Sequence, residues 1–207
     1  GIPAFMVAST LKCVLAQRLC RRICPDCRTP RTPSVDEIAI FKTNHITRVG
    51  STVKTFTAVT ILLLQEEGKL NIEDPVSDYL PKNKIEGLEN ADKCTVKQLL
   101  QHSSGVFNYI QNLKFQTASL NNLTKTWHPG ELLNYARGQK AYFAPGTDVR
   151  YSNTNYILLG MIIEKITGKP FYEVFSEKIF EPLNLQFTSF AATNPVPDGI
   201  IRGYVDF

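Results

Sequence analysis

In RVGSTVKTFTA, positions 48–58, a serine stands three residues ahead of a lysine. A serine hydroxyl is a poor nucleophile at neutral pH and needs a base close by. A lysine amine can be that base where burial or neighbouring charge lowers its pKa from about 10.4 toward neutrality. Residues three apart on a helix share a face, so a helix opening here would bring Ser51 and Lys54 within hydrogen-bonding reach. The same helix start would turn unpaired N–H groups and a positive dipole end toward an oxyanion formed at Ser51. The competing reading is structural: serine is a favoured helix cap, and Lys54 is then a solvated side chain. S-x-x-K alone leaves both open.

The elements that must position these residues are mostly helical. Apolar residues dominate from 51 to 67 and Gly68 supplies a stop, which predicts a mostly buried helix. LNIEDPVSDYLP at 70–81 reads as a turn and a short helical piece. Residues 95–101 suit a short helix ending in HSSG, and 129–136 suit another with Pro129 in its first turn. After the Pro-Gly loop FAPGTDVRYSN, Asn153 or Thr154 caps a helix over about 155–166, closed by Thr-Gly-Lys-Pro. Pro170 opens one more, to about 180. Strand signals are confined to QFTSF at 186–190 and IIRGYVDF at 200–207.

The 207 residues suffice for one domain, or one with an appendage, and 43% hydrophobic against 20% charged does not indicate disorder. The net charge of +4 lies wholly in residues 1–44, where seven Lys/Arg meet three Asp/Glu. Arg18, Arg21, Arg22, Arg28 and Arg31 read as a solvated helix face in preference to a nucleic-acid or lipid patch. Cys13, Cys20, Cys24 and Cys27 crowd the same segment, with Cys94 alone elsewhere; an odd total without regular spacing is not a disulfide framework. Zinc needs about four ligands, so no metal is assigned. Val7, Leu11, Val14, Leu15 and Leu19 mark an amphipathic helix over 7–23, and CPDCRTPRTPSVDE breaks it, with a segment boundary between 25 and 44. No apolar run approaches the roughly 18 residues of a membrane span. The start at Gly1 shows no secretory signal, so the expectation is a soluble protein, cytoplasmic as expressed, its native compartment open. Phosphate-cradling loops and nucleic-acid motifs are absent, and no cofactor is expected. His102 in LLQHSSG reads as a turn residue, His128 as a surface residue, and His45 has no acidic partner at a suitable spacing.

Three blocks taken together carry more than S-x-x-K does. RVGSTVKTFTAVTILLLQEEGKLNIEDPVSDYLP, TVKQLLQHSSGV and FAPGTDVRYSNTNYILLGMIIEKITGKPFYEVFSEKIFEPLNL, in that order, resemble successive blocks of the penicillin-recognising serine hydrolases. That family embraces class C β-lactamases, D-alanyl-D-alanine peptidases and β-lactamase-like esterases, and the resemblance covers about 43–204. It implies Ser51 as the acylated nucleophile, Lys54 as its proton partner, and Tyr151 with Asn153 as the second catalytic box, Y-S-N. A phenol beside a cationic lysine ionises more easily and can relay a proton to a leaving group, and Asn153 would hold Lys54 or a substrate amide. The family's third box, K-T-G or H-x-G, does not follow Asn153; Thr167-Gly168-Lys169 has the wrong order. In the family that strand also supplies the second oxyanion N–H, a contribution of several kcal/mol.

The resemblance therefore implies a mainly α protein: the helical part of the β-lactamase-like fold with most of the antiparallel sheet missing, plus the N-terminal amphipathic helix. Residues 1–41 resemble a different family, the type II secretion and type IV pilus assembly ATPases, near their zinc-binding cysteines, of which only the pair Cys24 and Cys27 is matched. The expected organisation is a fusion: an appended helix and Cys/Pro-rich linker at 1–42, and a truncated β-lactamase-like domain at 43–207. Either the 7–23 helix covers the apolar face that the missing sheet would cover, or two chains pair through it as a homodimer. Two functional readings stand. One is a serine hydrolase acting on a small ester or β-lactam through acyl-Ser51; the other is an inactive helical scaffold that binds acyl ligands weakly.

Overall fold

The computed structural model describes residues 48–122 and 125–190. The expected 7–23 helix, the Cys13, Cys20, Cys24 and Cys27 cluster and the 200–207 strand lie outside the described residues. The chain divides after Thr52, and Val53–Pro195 forms one compact unit. Of the other unit, residues 48–52 are described: Gly50–Thr52 is one turn of 3-10 helix, with the Thr52 N–H on the Val49 carbonyl at 3.2 Å.

The large unit is helical, in the order α1 (Val53–Glu66), α2 (Lys82–Ile85), α3 (Val96–Leu100), α4 (Leu113–Asn121), α5 (Pro129–Asn134), α6 (Asn153–Thr167) and α7 (Phe171–Phe175). A π-helical turn, Ser176–Phe180, continues α7. The helix α6 is the centre. Its buried residues come as pairs four apart, Thr154 and Asn155, Leu158 and Leu159, Ile162 and Ile163, so a single face turns inward along its length. Against that face pack α1, α3, α5 and α7. Gly168, at φ +69°, ends α6 in the left-handed conformation and returns its N–H to the Glu164 carbonyl at 2.9 Å.

In α1, Thr57, Thr60, Ile61 and Leu64 are buried at three- and four-residue steps. The helix is less buried than its composition predicts: Val59 is 39% and Leu62 48% exposed, because its packing partners cover only one side. Phe56, in the first turn of α1, stands edge-on to Phe180 at 5.4 Å between centroids. Each fully buried aliphatic side chain here contributes about 1.5–3 kcal/mol.

The smaller helices owe their ends to capping. Thr95 Oγ1 accepts the Gln98 N–H at 3.2 Å, and Gln98 Oε1 accepts the Thr95 N–H at 3.0 Å, which starts α3. Pro129 occupies the first position of α5, and Glu131 Oε2 accepts the His128 N–H at 3.0 Å. The helix α4 has no buried residue and is set by Asn112, whose Oδ1 accepts the Lys114 N–H at 2.9 Å.

Among the described residues the sole β pairing is an isolated antiparallel bridge between Pro75 and Thr95. The strand expected at 186–190 is instead a turn, with the Thr188 N–H on the Leu185 carbonyl at 3.1 Å. Of its two aromatic residues, the source of the strand signal, Phe190 serves ring packing, meeting Phe171 at 4.9 Å, and Phe187 is 97% exposed. No helix among the described residues is long and apolar enough to cross a membrane.

Candidate active site

The site is built on the turn 102–105, HSSG, that follows α3. Gly105 has φ +72°, and a Cβ there would fall 2.1 Å from the Phe143 carbonyl oxygen, so only glycine lets the following loop lie this close. Three amides of that loop bond to the turn: Tyr142 N–H to the Gly105 carbonyl at 2.8 Å, Gly146 N–H to Ser103 at 2.8 Å, and Arg150 N–H to His102 at 2.9 Å. Asn90 Nδ2 donates to the carbonyls of Ser104 (3.0 Å) and Phe143 (2.7 Å), holding both from behind. The Y-S-N stretch is thereby delivered to the start of α6.

Its three residues meet different partners. Tyr151, 46% exposed, lays its ring against the His102 imidazole with centroids 4.5 Å apart. The Ser152 N–H is donated to His102 Nδ1 at 3.2 Å, and Ser152, one residue ahead of the expected cap, is the N-cap of α6. Asn153 directs its backbone N–H (3.1 Å) and its Nδ2 (3.3 Å) to Oδ1 of the buried Asn108. One position further, Thr154 Oγ1 donates to the Phe107 carbonyl at 2.6 Å and accepts the Tyr109 N–H at 3.1 Å.

Lys54, half-buried in the first turn of α1, joins this cluster. Its ammonium sits 5.1 Å from the centroid of the Tyr151 ring and 5.7 Å from that of Tyr156, within cation–π range of both. Tyr156 stands one turn into α6 and donates its O–H to the Leu100 carbonyl at 3.2 Å. Lys54, Tyr151, Tyr156 and His102 thus form one cluster of a cation and three rings.

Electrostatics follow from this arrangement. Burial, and then the positive charge of Lys54, holds the His102 imidazole below its ordinary pKa. Burial, and then the negative charge that Tyr151 would carry, pushes the phenols of Tyr109 and Tyr156 above theirs. Among the described residues no three His, Cys, Asp or Glu side chains gather as a metal site would require.

Of the residues singled out in the sequence, Lys54 and Tyr151 come together, and Asn153 is engaged with Asn108. Ser51 is exposed, at the centre of the 3-10 turn of the other unit. Sequence reasoning missed Tyr156, Asn108 and the ring contacts of His102. Tyr156 carried a signal, a large polar-tipped ring one turn after Asn153; Asn108 carried none.

The profile of one family, Beta-lactamase, matches residues 33–205. The protein called flp from Staphylococcus aureus is 34% identical over 146 residues, which is 70% of this chain and 28% of that protein. A D-stereospecific amidohydrolase from Streptomyces sp. superposes with a TM-score of 0.64 at 40% identity, covering 67% of this chain and 42% of the other. The D-amino acid amidase of Ochrobactrum anthropi SV3, complexed with L-phenylalanine amide, gives a TM-score of 0.67 at 28% identity, covering 79% and 44%. The chain therefore spans less than half the length of each.

Proposed function

This chain belongs to the β-lactamase family of serine hydrolases and amidohydrolases, and on that premise we propose that it transfers acyl groups through an acyl-Ser51 intermediate. The observation that carries the reading is the Lys54 ammonium over the Tyr151 ring at 5.1 Å, joining two motifs far apart in sequence. In the proposed reaction the Ser51 hydroxyl oxygen attacks the substrate carbonyl while its proton passes into the Lys54–Tyr151 pair. The same pair returns a proton to the leaving group as the carbonyl–heteroatom bond breaks, and water then releases the acid from Ser51. Asn153, held by Asn108 two residues after Tyr151, would orient the acyl portion of the substrate. Small activated esters and β-lactams are the first substrates to try, since good leaving groups demand least of the oxyanion donors. Esters and amides of D-amino acids come next, because the similar solved structures are a D-stereospecific amidohydrolase and a D-amino acid amidase.

The test is covalent. The full chain is incubated with a labelled penicillin and with a p-nitrophenyl ester, and the adduct is mapped by mass spectrometry, with Ser51→Ala in parallel. An adduct on the Ser51 peptide that disappears in the variant is expected. Labelling that survives Ser51→Ala removes Ser51 as nucleophile. An absence of both labelling and turnover favours the second reading, a helical scaffold of the same fold that binds acyl ligands weakly.

A further inference from the structure

We propose that His102 is a positioning residue for this site, whose neutral imidazole fixes Tyr151 against Lys54 by gripping the chain on both sides of the phenol. The inference rests on the reading of Lys54 and Tyr151 as the proton-handling pair. Three contacts from one residue reach three consecutive residues. The His102 carbonyl accepts the Arg150 N–H at 2.9 Å, the His102 ring lies against Tyr151, tilted by 36° with centroids 4.5 Å apart, and His102 Nδ1 accepts the Ser152 N–H at 3.2 Å. The backbone of Tyr151 is bracketed before and after, and its ring is faced from one side. Lys54 occupies another approach, 5.1 Å from the ring centroid. The second ring beside the imidazole, Tyr156 at 5.2 Å, is itself tethered by its O–H to Leu100. The imidazole therefore has little room to turn away.

A turn alone does not call for histidine. His102 sits at φ +60°, where glycine or asparagine is the ordinary choice, and neither offers a ring. What histidine adds is an aromatic face joined to an acceptor nitrogen. Acceptance at Nδ1 places the proton of the neutral ring on Nε2. An imidazolium carries protons on both nitrogens and cannot accept the Ser152 N–H, so protonation would open the bracket around Tyr151. The titratable groups that meet the ring are Lys54 from α1, Tyr151 from the loop and Tyr156 from α6. Partial burial opposes an imidazolium first, and of these groups Lys54 acts in the same sense through its charge.

Two substitutions in the full chain separate positioning from turn formation. His102→Gly accepts the positive φ but removes both ring and acceptor. His102→Asn also accepts the positive φ and keeps an acceptor oxygen near the place of Nδ1, without the ring. With a p-nitrophenyl ester, His102→Gly is expected to lower kcat by on the order of tenfold to a hundredfold with little change in KM. His102→Asn should regain part of that loss. It should also lack the fall in kcat at acid pH that wild type owes to imidazolium formation. A second readout needs no turnover: in wild type the Tyr151 ring NMR signals should follow the His102 titration, and ¹⁵N shifts should place the neutral proton on Nε2. A folded His102→Gly with wild-type kcat and pH profile overturns the proposal, as do Tyr151 signals indifferent to the His102 titration. If the wild-type chain turns over no ester, the acyl-transfer reading fails by itself and the NMR result decides the role of His102. If His102→Gly does not fold, His102→Asn carries the kinetic comparison.

Discussion

The two ends of α6 are held by opposite means. From Leu158 to Ile163 the helix is fixed by apolar burial against α1 and α7, a non-directional attraction that tolerates small shifts. From Ser152 to Asn155 it is fixed by directed bonds. Ser152 donates to His102, Asn153 to Asn108, Thr154 to Phe107, and Asn155 both accepts from Ser104 Oγ (2.9 Å) and donates to the Leu99 carbonyl (3.2 Å). Thr154 and Asn155 are fully buried, so each unmade bond would cost the desolvation of its group. The contrast teaches where stability and placement reside: the apolar half keeps α6 in the fold, and the polar half sets where Tyr151 stands relative to Lys54.

That division can be broken experimentally. On the proposed function, Tyr151→Phe should show the largest effect, a loss in acylation rate of about 10²–10⁴-fold, while thermal stability changes by no more than about 1 kcal/mol. Rapid-mixing kinetics and thermal denaturation of the same preparation check both halves of the statement. Leu158→Ala should do the reverse, costing about 2–5 kcal/mol in denaturant unfolding while the rate at temperatures well below the transition stays near that of wild type. Asn155→Ala tests the border. It leaves the buried Ser104 hydroxyl without its acceptor and should cost about 1–3 kcal/mol, but it also loosens the turn that carries His102, so the rate falls too. Should Leu158→Ala slow the chemistry as much as Asn155→Ala at equal loss of stability, the two halves of α6 are not functionally distinct.

The apolar half was legible in the sequence and the polar half only partly so. Period and caps located α1, α3, α5 and α6 because burial of one helix face leaves a repeating pattern, and because Gly68, Pro129 and Gly168 mark ends by backbone geometry. The helix α4 escaped because a helix with no buried residue leaves no such pattern. QFTSF misled because aromatic residues have the same composition whether they pair as a strand or pack as rings, and Phe190 does the latter. The meeting of Lys54 with Tyr151 follows from no spacing rule; the resemblance to the penicillin-recognising hydrolases implied it. His102 was legible as a turn residue, which its φ bears out, but a ring contact with a residue far along the chain has no local signature.

The smallest effect expected is on stability against pH, and its sign separates the two halves of α6 again. His102 is neutral where it accepts the Ser152 N–H, and its folded pKa lies below the ordinary value of 6.5 through burial first and the Lys54 charge second. The unfolded chain, with the ordinary value, therefore takes up a proton at a higher pH than the folded chain does. The contribution of this group is fully present above pH 6.5 and is lost as pH falls through 6.5 toward the lowered folded value. The apolar contacts of Leu158 and Ile162 have no such dependence. Denaturant midpoints measured from pH 8 down to pH 5 should thus decline more in wild type than in His102→Asn, which cannot take up that proton, while Leu158→Ala should lower the whole curve and leave its slope unchanged. A wild-type slope retained in His102→Asn would mean that the acid-sensitive group lies elsewhere and that the polar end of α6 is not the half that answers to pH.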